Sequence, residues 1–116
     1  MPITKVTSAV LNDDAVSYDK LGSEFTTAAA IAASDVDFST AQVFTKTLTA
    51  NDTLTFSNVS TGMVKDLVIT GDFTLTLPAS VKVMSGTYDG TVSNLIQIVA
   101  TNGATEQWAS ISQEAV

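Results

Sequence analysis

The stretch over residues 63–83, MVKDLVITGDFTLTLPASVKV, constrains the fold most, because two β-like apolar runs meet in it and the second run is apolar at every second position. Phe73 and Leu75, for example, alternate with threonines, which is the period of a strand with one buried and one solvated face. Gly71 and Asp72 separate this run from the apolar run before it, and glycine there suits the first central position of a type II′ turn. The pattern predicts a β-hairpin that turns at these two residues.

Similar β patterns continue through most of residues 35–116, with turn residues spaced roughly 8–12 positions apart. The run LIQIVA at residues 95–100 is apolar at five of its six positions, which predicts the most buried strand. Asn102 and Gly103 then predict a tight hairpin into a strand that carries Trp108. These features predict an all-β fold, an antiparallel sandwich or jelly-roll-like module, and we find no internal repeat in the sequence.

Residues 1–34 have apolar side chains but no strong periodic face. Residues 1–10 alternate loosely, as an extended segment would, and Asp13 or Asp14 can begin a short helix over residues 15–21 that Gly22 ends. A helix of about two turns is marginal unless it packs on a partner. We therefore expect an extended, partly helical N-terminal attachment arm, residues 1–34, followed by a β-sandwich module, residues 35–116.

Charge and residue types exclude several classes of function. Twelve acidic residues and five lysines, with no arginine, give a net charge of −7, so the clustered cations of a nucleic-acid-binding surface are missing. Without histidine or cysteine, the chain cannot form a Ser-His-Asp triad or a thiolate metal site. No apolar run reaches the roughly 18 residues of a membrane span, and the N-terminus lacks a signal-peptide pattern. We expect no enzyme activity, no cofactor and no membrane insertion.

Carboxylates and aromatic residues are the remaining candidates for a site. Asp35 and Asp37 share one face if extended, but no calcium-loop pattern follows them, so we interpret them as solvated surface and expect no metal site. Glycoside hydrolysis by paired carboxylates is the least favoured alternative, because neither arginine nor histidine is present to orient a substrate. Trp108 is interpreted as a core or subunit-interface anchor, and Tyr88 as a possible glycan contact.

Nine apolar side chains are expected to bury area in the core or in the assembly between subunits. They are Leu54, Phe56, Val68, Phe73, Leu75, Leu77, Ile96, Ile98 and Trp108.

Four blocks together resemble a β module of tailed-bacteriophage virion surface proteins, of the short-fibre, tail-fibre or capsid-decoration type. The blocks are FTKTLTANDTLTFSNVSTG at residues 44–62, LVITGDFTLTLPASVKV at 67–83, the apolar strand at 95–100, and the turn and tryptophan strand at 102–111. Asn102-Gly103 replaces the final Asp-Gly of the family pattern. Residues 3–25 are also similar to the extended segment with which many phage fibre proteins begin.

The resemblance implies a non-enzymatic structural protein of the virion surface, assembled in the bacterial host cytoplasm. It implies a homotrimer that acts as a short fibre or a capsid-decorating (cement) subunit and contacts other virion proteins, capsid or tail, through residues 1–34. The alternative is a receptor-recognition module that binds a host surface glycan through Tyr88 and the loops over residues 85–94 and 101–105.

Overall fold

The computed structural model describes residues 12, 13 and 15–115. The extended segment predicted over residues 1–10 and the candidate cap Asp14 lie outside the described residues. The helix predicted over residues 15–21 is wrong: a single 3₁₀ turn, Tyr18–Lys20, is followed by the four-residue helix α1, Ser23–Thr26. Gly22 precedes α1 rather than ending a helix. Neither element has a buried residue, and a short helix without a packing surface has little to stabilise it.

Ten strands follow in the described residues, which confirms the all-β class. They are β1 Ala29–Ala30, β2 Asp35–Asp37, β3 Val43–Thr47, β4 Asp52–Thr53, β5 Thr55–Ser57, β6 Val64–Thr70, β7 Leu75–Thr76, β8 Val81–Ser85, β9 Asn94–Asn102 and β10 Glu106–Gln113.

The strands form one six-stranded sheet, in the order β1-β3-β6-β9-β10-β8, and two small sheets, β2-β5 and β4-β7. Five of the seven strand pairs are parallel, and only β6-β9 and β9-β10 are antiparallel. The predicted antiparallel sandwich or jelly roll is therefore wrong in its strand pairing. The chain instead coils like a solenoid, so that β1, β3 and β6 run in the same direction, and so do the strands of each small sheet.

Successive coils are related by a constant spacing that the sequence did not reveal as a repeat. Phe44 of β3 lies beside Leu67 of β6, and Asp52 of β4 lies beside Leu75 of β7, so both pairs are 23 positions apart. Thr47 and Thr70, the last paired residues of β3 and β6, are also 23 positions apart, and their hydroxyl oxygens are 3.2 Å from each other. A 23-residue structural repeat thus relates the second coil to the third, and it escapes the sequence because few residue types are shared.

The hairpin predicted at Gly71-Asp72 is wrong. Strand β6 already has β3 on one edge and β9 on the other, so no edge is left for β7. The turn is a corner at which the chain leaves the six-stranded sheet, and β7 pairs with β4 of the preceding coil. Strands are present on both sides of the turn, as predicted, at β6 and β7. The prediction that these two strands pair with each other is wrong.

The hairpin predicted at Asn102-Gly103 is confirmed, because β9 and β10 pair antiparallel on either side of it. Strand β9 alternates in burial rather than being buried on both faces. Ile96 and Ile98 are fully buried, whereas Leu95 and Val99 are 37% and 42% exposed. The reason is that the described chain places no second layer over the outer face of the sheet at these positions.

The core lies on the inner face of the six-stranded sheet and extends into both small sheets. The rings of Phe38 and Phe56 are 5.0 Å apart between centroids, in a tilted arrangement. Residues 29–31 fall within the predicted arm but belong to the sheet and the core. They contribute β1 and the buried Ile31, whose N–H donates a hydrogen bond to Thr45 O (2.9 Å). The largest fully buried apolar side chains are Val36, Phe38, Phe44, Leu54, Leu67, Ile69, Ile96 and Ile98.

Candidate functional site

The outer face of the six-stranded sheet carries a row of exposed apolar side chains on three adjacent strands. Val64 of β6 lies beside Val99 of β9, and Val99 lies beside Trp108 of β10. These side chains are 51%, 42% and 44% exposed. Val68 and Leu95 form a second cross-strand pair on the same face. We call these five residues the outer patch.

The indole ring of Trp108 is held in place by hydrogen bonds within the chain. Its Nε1 donates to Glu106 Oε1 (3.1 Å), which also accepts from the hydroxyl of Thr101 (2.7 Å). Lys82 Nζ lies 2.7 Å from Glu106 Oε2. The ion pair with Lys82 and the hydroxyl of Thr101 hold the pKa of Glu106 below its usual range. The ring is therefore oriented before anything contacts it.

Three charged side chains lie on or beside the outer face. Lys82 and Glu106 form an ion pair beside Trp108, so their charges offset each other. Asp66 lies between Val64 and Val68 on β6, half-buried, and its Oδ1 is buried without a hydrogen-bond partner among the described residues. The formal charges of Asp66, Lys82 and Glu106 therefore sum to −1 on this face. Exposed aromatic and aliphatic side chains are typical of the centre of protein interfaces.

The nine residues predicted for the core or the assembly occupy three environments. Three of them, Leu54, Ile96 and Ile98, are fully buried in the core. Three half-buried side chains pack against the core: Phe56, Leu75 and Leu77. The remaining three lie outside it: Val68 and Trp108 on the outer face, and Phe73, which is 44% exposed, beside the corner after β6.

An open groove next to that corner is the second candidate site. Its volume is about 770 Å³, and four separate segments of the chain line it. The residues that carry its chemistry are Asn51, Asp72, Phe73, Tyr88, Asp89 and Gln113. Sequence reasoning singled out only Tyr88 as a ligand contact, because the parallel return of the chain that brings Asn51 next to Asp72 leaves no local signal.

The buried Asn94 fixes the loop that forms one wall of this groove. Its Nδ2 donates to the carbonyl oxygens of Asp89 (2.7 Å) and Val92 (3.0 Å), and its Oδ1 accepts from the N–H of Asp89 (2.9 Å). Because Asn94 is only 1% exposed, these bonds are shielded from water. The wall is therefore positioned by a buried side chain at the start of β9.

Several polar side chains of the groove are anchored through one atom and leave another open. Asn51 Oδ1 accepts from the N–H of Thr74 (3.0 Å), and Gln113 Nε2 donates to Thr87 O (2.7 Å). Asp89 Oδ1 accepts from the N–H of Thr91 (3.0 Å) and from its hydroxyl (2.7 Å). Those bonds hold the pKa of Asp89 below its usual range, so it is an ionised acceptor.

Tyr88, the predicted glycan contact, uses its hydroxyl within the chain. The hydroxyl donates to Gly71 O at 2.7 Å, and the ring is half-buried. Burial raises the pKa of Tyr88, and the nearby carboxylates of Asp72 and Asp89 raise it further. Tyr88 therefore ties the loop after β8 to the corner after β6, and its polar atom is already occupied.

Within the described range, residues 12–13 and 15–115, no three His, Cys, Asp or Glu side chains are arranged to hold a metal ion. None of the helices there has the length and apolarity to cross a membrane. No protein-family model, curated protein or solved structure matches this chain. The virion resemblance therefore stays a prediction, and function has to be inferred from the two surfaces just described.

Proposed function

We propose that the protein is a structural subunit that assembles into a homotrimer through the outer patch. The observation that carries this proposal is the exposed row Val64, Val99 and Trp108 on one face of the six-stranded sheet. Exposed apolar patches of this kind mark interaction surfaces in proteins. The resemblance to phage virion proteins supports a place on the virion surface as a short fibre or cement subunit, with residues 1–34 attaching to other virion proteins.

A second copy of the chain fits this face because of charge. Two chains that each carry −7 repel one another unless the surfaces that meet are nearly neutral. The outer patch meets that condition, since Lys82 and Glu106 neutralise each other at its margin. Asp66 lies between the patch residues Val64 and Val68 and is half-buried, so assembly has to leave its carboxylate in contact with water or with a polar group of the neighbouring subunit.

The size of the face limits the area that it can bury against other subunits. Strands about 4.8 Å apart with residues about 3.3 Å apart give the four strands β6, β9, β10 and β8 an outline of roughly 400 Å² over seven residues. A standard stable interface buries about 800 Å² on each partner. The face alone provides about half of that area, so the proposed trimer also needs contacts outside these four strands.

Trp108 is the expected centre of the contact. Tryptophan is enriched among residues whose truncation costs most in interfaces. Because Glu106 holds the indole N–H, the ring loses little rotational freedom on assembly, and no polar atom of the ring is left unsatisfied. The aliphatic neighbours Val64 and Val99 extend the apolar surface on one side of it.

The test is the native mass, measured by light scattering after size exclusion at low micromolar concentration. The unchanged chain is expected at three chain masses and Val99→Asp at one, because a carboxylate in the centre of the patch cannot be desolvated cheaply. Val83→Asp is the matched control, since Val83 is also an exposed strand valine, 47% exposed, but lies outside the patch. It should remain at three chain masses.

A further variant separates the orientation of the ring from its area. Glu106→Ala keeps every apolar side chain of the patch but frees the indole, and we expect a several-fold higher concentration for half-dissociation. A monomeric unchanged chain, or a Val99→Asp chain with the native mass of the unchanged one, would contradict the proposal.

A further inference from the structure

We propose that the groove between the corner after β6 and the loop after β8 binds a neutral saccharide, with Phe73 as the surface on which a sugar ring stacks. This inference is independent of assembly, because the groove and the outer patch share no residue. It also moves the predicted glycan contact from Tyr88 to a set of residues that the sequence did not bring together.

Phe73 is the first reason. A phenylalanine that is 44% exposed beside a polar groove costs solvation unless something covers it. The apolar C–H face of a sugar ring can lie flat on an aromatic ring while its hydroxyls reach polar groups around it. Phe73 is bounded along the chain by Asp72 and Thr74, both of which also line the groove, so an apolar surface stands directly next to hydrogen-bonding groups.

The free polar atoms are the second reason. Among the described residues, Asn51 Nδ2, Gln113 Oε1 and Asp89 Oδ2 have no partner, while the other end of each side chain is anchored to the backbone or to Thr91. The carboxylate of Asp72 likewise makes no hydrogen bond within the described chain. The groove thus offers one amide donor among several acceptors in fixed positions, and a sugar hydroxyl can both donate and accept.

The negative charge of the groove favours a neutral saccharide over an acidic one. The carboxylates of Asp72 and Asp89 lie close enough to the Tyr88 hydroxyl to disfavour its ionisation. The same field would repel the carboxylate of an acidic sugar or a phosphate group. Hydroxyl-rich neutral sugars donate hydrogen bonds to these carboxylates without that repulsion. A volume of about 770 Å³ is within the range of small-ligand sites.

The experiment titrates the isotope-labelled full chain with three neutral probes, maltotriose, mannotriose and lactose, and with the acidic analogue 3′-sialyllactose, followed by amide chemical shifts. We expect saturable shifts confined to the groove, at the amides of Thr74, Gly90 and Gln113, from at least one neutral probe. The sialylated analogue of lactose should bind more weakly than lactose at low salt. Phe73→Ala should weaken binding about tenfold or more, and Phe73→Tyr should retain it.

Two further variants test the details of the site. Asn51→Asp keeps the acceptor for the Thr74 N–H but replaces the amide donor by a third carboxylate, so it should weaken binding without unfolding the turn. Met84→Ala is the control, because Met84 is an exposed apolar residue outside the groove. Its affinity should equal that of the unchanged chain, and Phe73→Ala should keep the native mass.

Four results would overturn the proposal. They are the absence of groove shifts with every neutral probe at about 10 mM, equal affinity for lactose and 3′-sialyllactose where lactose binds, unchanged affinity in Phe73→Ala, and a changed native mass in Phe73→Ala. The last result would assign Phe73 to a subunit contact instead.

Discussion

The coiled part of the molecule, residues 29–77, and the closing part, residues 81–113, build the same sheet by different means. In the coiled part each strand pairs parallel with a strand of the previous coil, up to 23 residues away. In the closing part β9 and β10 pair antiparallel across a short turn, β8 adds one parallel pair with β10, and β9 joins the closing part to β6 of the coiled part. Strand β6 therefore joins the two parts, because it pairs parallel with β3 and antiparallel with β9.

The difference shows where stability has to come from in each part. Antiparallel neighbours joined by a short turn lose little chain entropy when they pair, whereas parallel neighbours must first close a longer loop. The coiled part offsets that cost with buried side chains and with tight contacts at its corners, such as the one at Gly71. The closing part leaves five large apolar side chains exposed, whereas the coiled part leaves two, Val64 and Phe73.

Leu67→Ala tests whether the two parts unfold together, and we expect the largest effect from it. Leu67 is fully buried and lies between Phe44 of the coiled part and Ile96 of the closing part. Loss of its side chain should cost about 3–4 kcal/mol, the usual range for a buried leucine that leaves a cavity. Thermal and urea unfolding should show one cooperative transition at a much lower midpoint.

Val68→Ala is the control for Leu67→Ala, because Val68 is the next residue on the same strand but lies half-buried on the outer face. It should cost about 1 kcal/mol or less. Two separate transitions in Leu67→Ala would mean that the coiled and closing parts unfold independently. The contact between β6 and β9 would then add little to the stability of either part.

Gly71→Ala and Gly103→Ala compare the corner of one part with the hairpin of the other. Both glycines have positive φ, 113° and 52°. A Cβ at Gly71 would lie 2.5 Å from Leu48 O, a backbone atom that cannot move aside, whereas a Cβ at Gly103 meets nothing closer than 3.8 Å. We expect Gly71→Ala to cost about 3 kcal/mol and Gly103→Ala about 1 kcal/mol, measured by urea unfolding. Equal costs would show that the corner relaxes freely.

The two glycines also show how much of the fold the sequence can predict. Asn102-Gly103 joins strands that are neighbours in the chain, so a local turn signal was enough to predict the hairpin. Gly71-Asp72 carries a similar signal, but its consequence depends on which edges of β6 are occupied by β3 and β9. The residues that occupy those edges are 23 or more positions away in the sequence. Local patterns therefore predicted the strands but could not predict which strands pair.

The candidate sites also differ in how far the sequence could predict them. Trp108 was predicted as a core or subunit-interface anchor from its residue type; it lies 44% exposed on the outer face, so the core alternative is wrong and the interface alternative stays a prediction. The groove could not be predicted, because Asn51, Phe73 and Gln113 come together only through the parallel stacking of coils and the return of β10. Tyr88 was noticed as an aromatic residue in a loop, but its hydroxyl bond to Gly71 has no signature in sequence.

Asp52→Asn weakens an electrostatic link between the first two coils. The carboxylate of Asp52 accepts a hydrogen bond from the hydroxyl of Ser34 and lies 2.9 Å from Lys46 Nζ. Both side chains of the ion pair are about 15% exposed, so solvent screens the pair only in part. We expect a loss of about 1–2 kcal/mol at pH 7 in urea unfolding, as for a hydrogen bond to a charged group.

The pH dependence of that loss follows from the pKa of Asp52, which the Ser34 hydroxyl and then Lys46 hold below the ordinary value of 3.8. The stabilisation is present above the unfolded-state pKa and disappears as the pH falls through the folded-state pKa. The difference between the unchanged chain and Asp52→Asn should therefore be constant near neutrality and shrink below about pH 4. A difference that persists unchanged at pH 2 would point to packing rather than charge.

Tyr88→Phe should have the smallest effect, and it tests the one side-chain link described between the closing loop and the corner at Gly71. The variant removes the hydroxyl that donates to Gly71 O but keeps the half-buried ring, so we expect a loss of about 1 kcal/mol at pH 7 in urea unfolding. The pKa of Tyr88 is raised, chiefly by burial, above its ordinary value of 10.0. This contribution is therefore complete below about pH 10 and is lost as the pH rises through the folded-state pKa, so the two chains should converge in alkali. Because the hydroxyl of Tyr88 is already bonded to Gly71 O, Tyr88→Phe should weaken saccharide binding less than Phe73→Ala does, and the reverse order of effects would return the glycan contact to Tyr88.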